Sequence, residues 1–139
     1  AEEERTVAQA KKVFLLAAGA AVEKFRDQLA DNQEIVAALS NIVMDLYAME
    51  SSLRRAQKSG SGAISPMTDA ARAYTYDAMD RIEKEARTAL AATSDGDTLI
   101  TQLAALRRLA KHAPVDIIAL RRRVAQAVMA QNRYPFEGR

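Results

Sequence analysis

Between Asp31 and Lys58 the chain places Ile35, Leu39, Ile42, Leu46, Met49 and Leu53 at alternating steps of four and three. That spacing puts all of these side chains in one narrow stripe along a single helix. A stripe of this kind is a packing seam, and nothing in it is chemically reactive. It demands that the helix lie against other helices, and it leaves the function open.

The rest of the chain divides around this helix. A first helix is predicted from about Glu2 to Leu29, with Val7, Phe14, Ala21, Val22 and Phe25 on its main face. Asp31 reads as the N-cap of the second helix, with Glu34 placed to complete a capping box. Ser59-Gly60-Ser61-Gly62 ends the second helix as the clearest loop. Ser65-Pro66 then restarts helix, because a cap residue is followed by proline at the first helical position, where the missing N–H costs nothing. The third helix runs to about Ala92 on a seam of Met67, Ala71, Tyr74, Ala78, Ile82 and Ala89. Ser94-Asp95-Gly96-Asp97 breaks it and caps a fourth helix holding Leu99, Leu103, Leu106 and Ala110. Ala113-Pro114 interrupts again, since proline disfavours helical geometry at the residue before it. A fifth helix carries Ile117, Leu120, Val124 and Val128 and ends near Asn132. The tail Arg133-Tyr134-Pro135-Phe136 reads as non-helical, with aromatics that can dock on a neighbour. The predicted fold class is all-α, an elongated antiparallel up-and-down helical bundle of three long and two shorter helices, forming a single domain over residues 1–139.

Composition narrows the function classes. A chain of 139 residues is long enough to close its own core, and its abundant alanine with few aromatics suits closely packed helices. With no cysteine it has no disulfide framework, no thiolate metal site and no Cys nucleophile, in keeping with a reducing, cytoplasmic setting. A net charge of +2 is too small to imply nucleic acid or an acidic membrane by itself. The polar start Ala1–Arg5 is no secretory signal. The strongly apolar uncharged run Val13–Val22 falls short of the ~20 residues needed to span a bilayer, so a soluble protein without membrane attachment is expected.

That same run is apolar on every side of its helix. Either the first helix is the central helix of the bundle, or one of its faces meets a surface outside this chain. On the third helix, Asp77 with Arg81, Asp80 with Lys84 and Glu83 with Arg87 read as a solvated, self-paired face rather than catalytic carboxylates. His112, the only histidine, sits near a helix end and reads as a surface residue. No nucleophile stands beside a base, no metal-ligand cluster occurs, and no glycine-rich turn follows a strand. No catalytic, cofactor-binding or metal residue is expected, and on its own residues the chain is not an enzyme. Arg107, Arg108, Lys111, Arg121, Arg122 and Arg123 cluster around the break at Ala113-Pro114. Consecutive arginines spread over most of a helix circumference, so solvated faces or salt bridges to a partner account for them better than a recognition helix in a DNA groove. No nucleic-acid partner is expected.

The run Asp45-Leu46-Tyr47-Ala48-Met49-Glu50, continuing through Leu53-Arg54-Arg55-Ala56, resembles the extra C-terminal helical domain of long-chain and very-long-chain-type acyl-CoA dehydrogenases, particularly bacterial ones. Thr101–Leu109 and Asn132-Arg133-Tyr134-Pro135-Phe136 extend the resemblance in the same order. It implies a flavoprotein oxidoreductase parent, acting in fatty acid metabolism, whose upstream part binds FAD and carries the catalytic glutamate. No cofactor is implied within these residues. The resemblance also implies a structural role: packing on the catalytic domains of the same chain and setting the oligomeric state, with a homo-oligomeric parent. The rival readings are a stand-alone helical interaction module and, further off, nucleic-acid binding through the Arg-rich helices.

Overall fold

The computed structural model describes residues 2–58 and 65–131. The expected Ser59–Gly62 loop and the 133–136 tail lie outside the described residues. Within them are five α-helices and no strand: α1 (Glu2–Phe25), α2 (Gln33–Lys58), α3 (Pro66–Thr93), α4 (Gly96–Ala110) and α5 (Ile117–Gln131). A tighter 3-10 segment, Arg26–Asp31, joins α1 to α2. No described helix is long and apolar enough to cross a membrane.

The α2 seam behaves as its spacing requires. Ile35, Ile42 and Met49 are buried, and Leu39, Leu46 and Leu53 flank them, half-buried against the core. Ser65 caps α3 as expected, its Oγ accepting a 3.0 Å hydrogen bond from the Thr68 N–H, with Pro66 at the first helical position. The junction before α2 differs from the capping-box expectation. Arg26 adopts a left-handed φ of 47°, which ends α1 four residues early and winds the chain into the 3-10 segment. Asp31 therefore closes that segment and is not a cap. The Asn32 backbone carbonyl accepts the first bonds of α2, from Ile35 and Val36, while its side-chain Nδ2 donates to the Gln28 carbonyl and its backbone N–H to that of Leu29.

The central helix is α3, not α1. Among the described residues it packs against all four other helices, α5 touches no helix but α3, and α1 adds contacts to α2 and α4. Two-sided burial is visible along α3 in Ala71, Ala73, Tyr76, Ala78, Met79, Ile82, Ala86, Ala89 and Leu90. Small side chains let the neighbours approach from several directions. Thr75 and Thr93, buried among them, donate to the carbonyls of Ala71 and Ala89 and so leave no hydroxyl unsatisfied. On α1 the buried row is Val7, Ala10, Val13, Ala17 and Ala21, whereas Val22, expected on that face, is 54% exposed. Gly96 opens α4 at φ +56°, a left-handed geometry that glycine adopts without a steric penalty.

Ile82 is fully buried in this core, so Ile82→Ala should cost about 2–5 kcal/mol in chemical unfolding. Ile100→Ala, on the exposed side of α4, should stay within about 0.5 kcal/mol. Equal losses at both positions would contradict a core organised around α3.

Candidate docking surface

The charged residues of α3 fasten the bundle together. Arg81 donates from Nε and Nη2 to the two carboxylate oxygens of Asp45 on α2, at 3.1 and 2.9 Å, and its guanidinium lies 5.3 Å from the centroid of the Tyr74 ring. The Tyr74 hydroxyl donates to the same carboxylate at 2.9 Å. Burial pushes the Asp45 carboxyl up, but the Arg81 and Tyr74 hydrogen bonds and the Arg81 charge outweigh it and hold it below the ordinary carboxylate value. Asp77 pairs with Arg121 of α5, and Asp80 approaches Nε2 of His112 at 3.6 Å. Of the three pairings expected within α3, Glu83 with Arg87 forms, at 3.5 Å. Arg81 turns instead to Asp45 of α2 and Asp77 to Arg121 of α5, while Asp80 is approached by His112 in the connection between α4 and α5.

His112 is likewise not a free surface residue. Its ring packs on Tyr76 with centroids 4.9 Å apart, and Nδ1 donates to the Ala113 carbonyl at 2.9 Å. Tyr76 donates to Glu3 of α1 at 2.8 Å, and burial first, then Glu3, raises its pKa. The basic cluster splits in two. Arg121 and Arg123 face α3, where Arg123 forms a bidentate pair at 2.9 and 3.1 Å with Asp69, whose side chain is only 6% exposed. Arg107, Arg108, Lys111 and Arg122 are exposed. The arginines of α5 are thus partly spent on holding α5, through salt bridges to this chain's own third helix.

Two grooves mark the surface. Asn41, Met44, Asp45, Arg81, Lys84 and Glu85 line one of ≈ 360 Å³ between α2 and α3. Four of its polar groups pair with one another beside Lys84, Asn41 donating to Glu85 at 3.0 Å and Arg81 to Asp45, and no Ser, Thr, Cys or His lines it. Leu29, Ala30, Gln33, Val36 and Ala37 line a second, apolar one of ≈ 510 Å³ where the 3-10 segment meets α2. One buried side-chain oxygen, Gln102 Oε1, lacks a hydrogen-bond partner among the described residues, and a single amide does not make a reactive constellation. No group of three or more His, Cys, Asp or Glu gathers to hold a metal among the described residues.

What does stand out is apolar surface left open. Leu15 is 67% and Val22 54% exposed on α1, and Met44 is 62% and Tyr47 75% exposed on α2. Tyr47 belongs to the run Asp45–Glu50 whose other members are engaged inward: Met49 is fully buried, and Glu50 accepts from Lys11 of α1 at 2.9 Å. Of the two readings of the first helix, this geometry favours the one with a face left for a surface outside the chain. Ile118 and Met129 on α5 are also exposed.

Known proteins carry this architecture. The profile described as acyl-CoA dehydrogenase, C-terminal domain, matches residues 9–108. A Bacillus subtilis protein named probable acyl-CoA dehydrogenase is 32% identical over 137 residues, which are 96% of this chain and 23% of the relative. The crystal structure of an acyl-CoA dehydrogenase complexed with FAD from Bacillus anthracis superposes with a TM-score of 0.89 at 32% identity, covering 95% of this chain and 24% of that one. The chain therefore spans about a quarter of the length of these relatives.

Because Asp45 is held ionised by its partners, its contribution to stability is present above the ordinary carboxylate pKa of 3.8 and is lost as pH falls through its lowered folded value. Asp45→Asn should be less stable than the unaltered protein near neutral pH, and the gap should narrow in acid. Denaturant titrations at both pH values measure this, and a gap independent of pH would contradict it. Arg123→Met should lower the unfolding midpoint more than Arg122→Met, because only Arg123 reaches a buried carboxylate.

Proposed function

This chain belongs to the acyl-CoA dehydrogenase C-terminal domain family, and on that premise we propose that its residues form the non-catalytic accessory domain of a longer, FAD-dependent acyl-CoA dehydrogenase of the long-chain or very-long-chain type. In this reading the 139 residues are one excised domain of a cytoplasmic protein. The domain packs on the catalytic part of its own polypeptide, covers apolar surface there and sets the oligomeric state. The observation that carries the proposal is the pairing of two coverages: nearly the whole chain aligns, yet with less than a quarter of each relative.

The chemistry of the surface supports the division of labour. An acyl-CoA dehydrogenase needs a base for the α-proton and a flavin to accept hydride. The polar groove between α2 and α3 does not fit a flavin dinucleotide: Asp45 and Glu85 meet the diphosphate with like charge, Arg81 and Lys84 no more than balance them, and Arg81 is already committed to Asp45. The flavin and the catalytic base are therefore assigned to residues outside this chain, and no site residue is placed within it. Exposed apolar side chains on α1 and α2 have the character of a surface that a larger body covers.

The intact mass of the native polypeptide carrying this sequence tests the proposal. The expected result is a species several times larger than 15.2 kDa that co-purifies with flavin absorbance. Deleting these residues from it should expose apolar surface and cause aggregation or altered assembly in light scattering. A flavin-free species of 15.2 kDa would replace the proposal with an independent interaction module.

A further inference from the structure

We infer that the outward face of α2, from the groove at Leu29 to Tyr47, is the contact through which this domain seats on the remainder of its own polypeptide. The inference rests on the accessory-domain reading above and specifies the surface that reading requires.

The face is set apart by its lack of charge. Val36, Ser40, Val43 and Tyr47 recur at four, three and four residues, and Gln33, Ala37, Met44 and Ser51 lie alongside them, so that one exposed arc of α2 carries no charged side chain for about five turns. Within this stretch Asp45 points toward Arg81 of α3 and Glu50 toward Lys11 of α1, while exposed Glu34 and Arg54 border the arc. At its N-terminal end the arc runs into the apolar groove formed with Leu29 and Ala30. The left-handed turn at Arg26 brings these two residues there. The other open faces are interrupted. On α1, Lys11, Lys12 and Glu23 border Leu15 and Val22, and on α5, Arg122 lies between Ile118 and Met129. Charges at the centre of a contact must be desolvated, and interface cores are depleted in them.

Size decides between a tethered partner and a separate one. An arc about 27 Å long and about 10 Å wide offers about 270 Å², or about 540 Å² counting both sides. That lies at the lower edge of contacts between domains of one chain, about 600–1,500 Å². It falls short of the roughly 1,200–2,000 Å² of stable complexes between free proteins. A covalent tether makes the smaller contact sufficient, because it holds the partner at a high effective concentration. The relatives' chains, some four times the length covered here, are of the size to supply such a tethered body.

The test places a photo-crosslinking phenylalanine analogue at position 47, and separately at Ile100 as an equally exposed control, in the full native polypeptide. Equal amounts of isotopically light and heavy chains are mixed before irradiation. The expected result is light–light and heavy–heavy links from position 47 to peptides outside the 139 residues, with Ile100 giving few. Adding Val43→Glu beside position 47 should lower the yield at least roughly tenfold, because a charge is then forced into an apolar contact. Mixed light–heavy links would mean that a second copy covers the face, and an absence of links would mean that nothing does; either result overturns the inference. If the polypeptide retains flavin and excess mass in those cases, only the face is wrong. If it lacks both, the accessory-domain reading fails as well.

Discussion

The two-sided burial of α3 is the constraint on which the rest of the bundle depends. Among the described residues it is the only helix that touches every other, and its surface is built so that neighbours can come close from several sides. Alanines at 71, 73, 78, 86 and 89 keep the approach short, while Met79, Ile82 and Leu90 fill the spaces that small side chains leave. A larger residue at one of the alanines would push a neighbouring helix outward and disturb the packing along its length. The buried threonines obey the same constraint, since each returns its hydroxyl to a carbonyl four residues earlier and asks nothing of the helix opposite.

Electrostatics adds direction to that packing. Asp45 joins α2 to α3, Glu3 joins α1 to α3, and Asp69 and Asp77 join α5 to α3. The contribution matters most for α5, which among the described residues has one buried apolar side chain, Leu120, and no neighbouring helix but α3. Its hold combines a narrow apolar contact with guanidinium–carboxylate pairs. The best placed of these has a carboxylate largely withdrawn from water, where solvent screens the attraction less. The arginines of the basic cluster are thereby divided between fastening and solvation. An arginine already forked onto a buried carboxylate is poorly placed to take a phosphate.

The sequence was most legible where periodicity is carried by large apolar residues. The α2 seam, and Leu99, Leu103, Leu106 and Ala110 on α4, lie against the core in the expected order. It was less legible where burial falls on alanine. On α1 the innermost positions are Ala10, Val13, Ala17 and Ala21, and alanine next to alanine gives no pattern from which to choose a face, so Val22 was assigned inward. The centrality of α3 was hidden for the same reason. The junction at Asp31 was misread because the capping-box spacing was present, but the left-handed turn at Arg26 had already consumed Asp31 in the preceding segment. The open face of α2 is legible in retrospect as the uncharged side opposite the seam.

By itself the sequence determined the helical class, the breaks at Ser65-Pro66, Asp95-Gly96 and Ala113-Pro114, and the inward row of α2. Those outcomes depend on interactions within a few residues, namely helix propensity, caps and the 3.6-residue repeat, which the order of residues states directly. Only the tertiary structure decided which helix is central, which acid meets which base, and which apolar face stays open. Arg81 has acids four residues before it and four after, yet takes Asp45, 36 residues away, and Arg123 takes Asp69 at a separation of 54. A helix surface offers several partners at similar local cost, and the choice among them is made by whichever neighbour the packing brings within reach.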